Sequence, residues 1–126
     1  MTFHPQLMAV ITLEMLKKFA VASGDHNPIH QDEAVAQSMG LQGVIAHGML
    51  ISSLVLSRAL IAIEATPELK GRSITQTQTR FRAMTFLGDE IFVSGKWEPH
   101  ASGIKLDLVA KNQRDETVIT ATLEVT

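Results

Sequence analysis

"GMLISSLVLSRALIAI", residues Gly48 to Ile63, decides how this chain folds. Wound as a helix, the run is apolar on almost every side, and such a helix must be buried all round. It is shorter than the ~20 residues a bilayer span needs, and Arg58 interrupts it, so it reads as a core helix. After Pro67 the period changes to two. In "SITQTQTRFRAM", Thr75, Thr77, Thr79 and Phe81 point one way and Gln76, Gln78, Arg80 and Arg82 the other. "EIFVSGKW", "GIKLDLVAK" and "TVITATLEV" alternate in the same manner. Turn signals separate them at residues 87–90, 98–103 and 112–116. These segments read as four consecutive strands at hairpin spacing, with "QLMAVI" near the N-terminus as a fifth. One buried helix and an antiparallel sheet make an α+β architecture, with the sheet wrapped around the helix. A single sheet leaves one side of that helix uncovered, so a partner chain is expected.

The composition narrows the class. A chain of 126 residues suits one domain, residues 1–126, with 45% hydrophobic and 19% charged residues. The formal net charge is -2 with no basic run, which argues against a nucleic-acid surface. There is no cysteine, so disulfides and thiolate metal sites are excluded. The opening "MTFHPQLMAV" lacks the charged-then-apolar layout of a signal peptide, and a soluble cytoplasmic protein is expected.

Upstream of the core helix, "TLEMLKKFAVAS" places Leu13, Leu16, Phe19 and Ala20 at helical spacing, with Thr12 as N-cap. Gly24 and Pro28 end that helix, and "DEAVAQSMG" reads as a short second one. Between them lies "SGDHNPIH", residues 23–30. Asp25 and His30 are five apart, and Pro28 forbids a helix between them. A loop can curl both toward one water, where the imidazole exchanges a proton near neutral pH. The same residues also make an ordinary turn, since Asp and Asn bond their own backbone and Pro fixes φ. Asp25, His26, His30 and His47 are possible metal ligands, although no helical His pair is present. A calcium loop is rejected, because its required Gly and Glu positions hold His30 and Ala36.

The second constellation is "IAHGML", residues 45–50. Gly48 heads the core helix, where backbone N–H groups lack internal partners and the dipole favours negative charge. Without a Cβ it admits close approach, which suits an oxyanion hole, or simply a flexible helix start.

Together these residues resemble a known family. The run from Phe19 to Leu50, with "SGDHNPIH" and the later "AHGM", is similar to the MaoC-like hydratases and dehydratases. These include (R)-specific enoyl-CoA hydratases and (3R)-hydroxyacyl-thioester dehydratases. The resemblance implies a hot-dog fold, an antiparallel sheet wrapped around a long central helix, and a dimer. It implies Asp25 and His30 as the catalytic pair, the Gly48 N–H as oxyanion donor, and Asn27 and His47 as loop support or positioning residues. Met49 and Ser52, with Ile51 and Val55, are candidates for the substrate pocket. No metal and no redox cofactor is implied; coenzyme A or the pantetheine of acyl carrier protein arrives with the substrate. Lys70, Arg72, Arg80 and Arg82 are weak phosphate candidates. A non-catalytic or obligate-heteromer subunit and a hot-dog acyl-CoA thioesterase are the alternatives. His4, His26 and His100 are expected to be solvated or structural, and Trp97 and the phenylalanines to belong to the core.

Overall fold

Strands form where the sequence alternates, and the alternation decides which face they bury. The structure, a computed structural model, describes residues 1–126. β4 (Gly103–Lys111) buries Ile104, Leu106, Leu108 and Ala110, and β5 (Thr117–Val125) buries Ile119, Ala121, Leu123 and Val125. β3 (Glu90–His100) adds Ile91 and Val93. With β1 (Thr2–Val10) and β2 (Ile74–Phe81) they form one antiparallel sheet in the order β1-β3-β4-β5-β2.

The apolar run forms α3 (Gly48–Ala65), which contacts β1, β3, β4 and β5. It is long and apolar enough to cross a membrane by length and composition, yet Leu50, Ile51, Val55, Ala59 and Ile63 are built into the core. Its other side leaves Met49, Leu60 and Ile61 exposed, the uncovered flank expected from the sequence. This is the hot-dog arrangement. Arg58 lies buried within α3, and one guanidinium nitrogen donates to the His4 carbonyl at 3.0 Å while the group covers the Phe3 ring. Burial lowers its pKa, because leaving water disfavours the charged form.

One expectation fails. The four alternating segments are not successive hairpins: β2 pairs with β5, not with β3. Beyond β2 the chain stays on β5, where Arg82 N–H donates to the Val118 carbonyl at 2.8 Å. It then leaves the sheet, bridges Ile45 through Phe86, and re-enters at β3. Turn residues mark where a strand ends but not which strand its successor joins. That detour brings Thr85 and Phe86 beside Ile45 and Ala46.

Helix α1 (Leu13–Ser23) starts on Thr12, whose hydroxyl accepts from Met15 N–H, and ends at Gly24 with φ +79°. That left-handed turn suits glycine and reverses the chain into the loop. α2 (Glu33–Ser38) is capped by Asp32, and the Glu33 carboxylate accepts from Val44 N–H at 3.2 Å. Both helices therefore frame the segment before α3.

Candidate active site

The loop between α1 and α2 is shaped by its own side chains. Asp25 N–H donates to the Ser23 hydroxyl, Asn27 N–H to the Asp25 carboxylate and Ile29 N–H to the Asn27 side chain, each at 3.2 Å. Acceptors at every second residue thus satisfy N–H groups that no helix or strand serves. Pro28 begins a short 3-10 turn, Pro28–His30, which carries the His30 ring inward to 7% exposure.

There His30 Nδ1 lies 2.8 Å from the Ile45 carbonyl. A carbonyl only accepts, so Nδ1 carries a proton, and in the neutral form of the ring the lone pair is on Nε2. Nε2 stands 3.7 Å from Asp25 Oδ2, too far for a hydrogen bond and close enough for one water to touch both. The Asp25 side chain is 53% exposed, so this pair faces solvent from one side and the protein interior from the other.

His47 lies behind the pair. Its Nε2 donates to the Asp25 carbonyl at 3.1 Å, and its ring stacks on His30 at 3.8 Å between centroids and 24° between planes. Phe19 packs on its other flank at 4.9 Å. His47 Nδ1 is buried without a partner. Asp25, His30 and His47 offer donor atoms within 4.8 Å of one another. The stacked rings hold their in-plane lone pairs in nearly parallel planes, so the two imidazoles do not converge on one point.

Gly48 opens α3, and its N–H has no acceptor within the helix. A Cβ there would come within 2.9 Å of the Phe81 ring. Gly48 and His30 share the lining of an apolar cavity of about 260 Å³, with Ile51, Phe81, Met84 and Ile119. A larger cavity of about 580 Å³ runs across β1, β3, β4 and β5 and holds none of the motif residues.

The sequence-derived candidates divide here. Asp25, His30, Asn27, His47 and Gly48 come together. Met49 is 64% exposed, and Ser52, although buried, does not line the cavity; Ile51 takes that place. Lys70 and Arg72 lie after α3, and Lys70 pairs with Glu64. Phe81, expected in the core, is instead 56% exposed and lines the cavity. The Ile45 carbonyl, which sets the His30 tautomer, has no side-chain signature to read. Asp89 was also missed, although it organises the neighbouring turn: Phe86 N–H, Gln113 and Arg114 all donate to its carboxylate.

Comparison with known proteins bears on the fold and the family. Residues 2–119 match the family model described as "MaoC like domain". The chain is 31% identical over 116 residues to the fatty acid synthase subunit beta of Gibberella zeae, covering 90% of this chain and 6% of that protein. It is 33% identical over 82 residues to the mitochondrial 3-hydroxyacyl-[acyl-carrier-protein] dehydratase of Arabidopsis thaliana, covering 65% of this chain and 46% of that one. Among solved structures, the R-hydratase PhaJ1 from Pseudomonas aeruginosa is 26% identical, with a TM-score of 0.82, over 99% of this chain and 78% of that one. A motif loop, a glycine-headed central helix and a match across nearly the whole sequence lead to one assignment: the chain belongs to the MaoC-like domain family of hydratases and dehydratases.

Proposed function

We propose that the chain catalyses the reversible addition of water to a trans-2-enoyl thioester, carried on coenzyme A or acyl carrier protein, to give the (R)-3-hydroxyacyl thioester. The observation that carries this reading is the Nδ1–H bond to the Ile45 carbonyl, which leaves His30 Nε2 as a base beside Asp25. In hydration, Asp25 and His30 hold a water against C3. His30 takes a proton as the oxygen bonds to C3, and the charge moves to the thioester oxygen, which the Gly48 N–H and the α3 terminus receive. C2 then takes a proton from the same pair, returning it to its starting state. Elimination follows these steps backwards. The 260 Å³ cavity accepts the acyl chain, and its apolar lining suits a hydrocarbon.

The partner belongs to the same reading. β2 pairs on one side only, with β5, and Ile74 to Thr79 carry no charge along that edge. Uncharged edges of this length invite a further strand. Phe81 at its end and Met84 just beyond are both exposed beside the cavity. A second copy set along β2 would cover them and close the site. A different hot-dog subunit fits the same edge, and an obligate heteromer is the reading to test against.

Turnover of crotonyl-CoA and longer enoyl thioesters by the wild-type chain, Asp25→Asn and His30→Ala is the decisive experiment. Loss of about 10³-fold in both variants is expected from removing one member of an acid–base pair. Equal rates in all three folded proteins, or release of free thiol instead of hydration, overturn the proposal. A purified chain that is monomeric and active only with a second hot-dog protein selects the heteromer.

A further inference from the structure

We propose that Asp89 is a positioning residue for His30: with Arg114 and Gln113 it fixes the turn that holds the Ile45 carbonyl, and this carbonyl selects the His30 tautomer. The role of His30 rests on the function proposed above; the structural coupling does not.

The bonds run without a gap. Asp89 is 3% exposed. Its Oδ2 accepts from Phe86 N–H at 2.9 Å, and its Oδ1 accepts from Gln113 Nε2 at 2.9 Å and Arg114 Nη1 at 3.1 Å. Arg114 Nη2 reaches Oδ2 at 3.4 Å. Asp89 N–H closes the turn on the Phe86 carbonyl at 3.1 Å. The turn is pinned to the rest of the fold by Gly88 N–H donating to the Ile11 carbonyl and Ile11 N–H donating to that of Asp89. Its Thr85 carbonyl accepts from Ala46 N–H at 2.8 Å, beside the Ile45–Phe86 bridge. On the other side, Ile45 N–H donates to the Ile29 carbonyl at 3.2 Å. Ile45 is therefore clamped between the catalytic loop and the Asp89 turn, with its carbonyl aimed at His30 Nδ1.

An outer partner that orients a ring nitrogen acts through geometry, and a small misplacement of a proton-transfer group costs rate rather than binding. Arg114 is half-exposed, so removing its head group loosens the brace without opening the core. The test uses Asp89→Asn, Arg114→Leu and the surface control Lys111→Ala, which loses only the exposed pair with Asp115.

Nitrogen NMR of the His30 ring should show the Nδ1–H tautomer in the wild type and in Lys111→Ala, and a mixture of tautomers in Asp89→Asn and Arg114→Leu. Turnover of an enoyl thioester should fall about tenfold in kcat, with KM within about twofold. If Asp89→Asn does not fold, Arg114→Leu decides alone. A wild-type ring protonated at Nε2 overturns the proposal. So do folded variants that keep both the tautomer and kcat, or a rate loss that only follows the folded fraction. If the wild type turns over no thioester while the His30 signals respond to Asp89→Asn, the positioning stands and the hydratase reading fails.

Discussion

Residues 23–30 and residues 85–89 are both turns built around an aspartate, and they treat it in opposite ways. Asp25 has a half-exposed side chain; one oxygen accepts a single backbone bond from Asn27 and the other faces His30 at 3.7 Å. Asp89 is buried, and backbone, amide and guanidinium donors fill both of its oxygens. Burial pushes the Asp89 carboxyl up, but the bonds from Phe86 N–H, Gln113 and Arg114, with the charge of Arg114, outweigh it and hold the group below the ordinary carboxylate range. Under the proposed function Asp25 must meet a substrate, and it keeps an oxygen free to do so. Asp89, which holds a turn, gives up both.

The contrast is broken most sharply by activity. Asp25→Asn keeps the shape of the loop, because its side-chain oxygen still accepts from Asn27. It should lose about 10³-fold in turnover while the free energy of unfolding changes by no more than about 0.5 kcal/mol, the range of exposed substitutions, so that the thermal midpoint barely moves. A strongly lowered midpoint, measured by calorimetry, would make Asp25 a structural residue like Asp89.

The reverse pattern is expected at Asp89. Asp89→Ala strips the buried acceptors from Phe86 N–H and Gln113 and should cost about 3 kcal/mol in denaturant unfolding at neutral pH. Its pH dependence has a fixed sign. The folded pKa lies below the unfolded value of about 4, so the unfolded chain binds more protons in that range. The stabilisation is complete above about pH 4 and drains away as pH falls through the folded value. The gap between wild type and Asp89→Ala should therefore narrow in acid. A gap constant from pH 7 to pH 2 would show that the carboxylate's charge has no part in the brace.

The same contrast explains what the sequence could tell. The turn in "SGDHNPIH" was legible because its residue types bond their own backbone and bring Asp25 and His30 together, and α3 was legible because its apolar run has only one way to be buried. The strand segments were visible through their alternation. Their pairing was not: nothing in "FRAMTFLGDE" says that β2 stays on β5 before the chain crosses to Ile45. The roles of Ile45 and Asp89 depend on that crossing. One acts through a backbone carbonyl, and the other through partners more than twenty residues downstream. Phe81 was misread because an aromatic residue on an alternating strand normally marks a core face, whereas β2 is an edge strand.

The smallest expected effect tests whether the exposed half of this contrast extends to Gly48. In Gly48→Ala the new methyl group meets the Phe81 ring, the far end of a side chain 56% exposed and free to swing. Folding stability should change by less than about 1 kcal/mol, since alanine also favours the helix. Turnover should drop about tenfold as the displaced ring crowds the approach to the Gly48 N–H. Adding Phe81→Ala removes the ring, so the double variant should recover most of the loss relative to Phe81→Ala alone. If Gly48→Ala costs as much without the ring as with it, the glycine is required by the substrate itself and not by its neighbour. Phe81 would then be only a wall of the cavity.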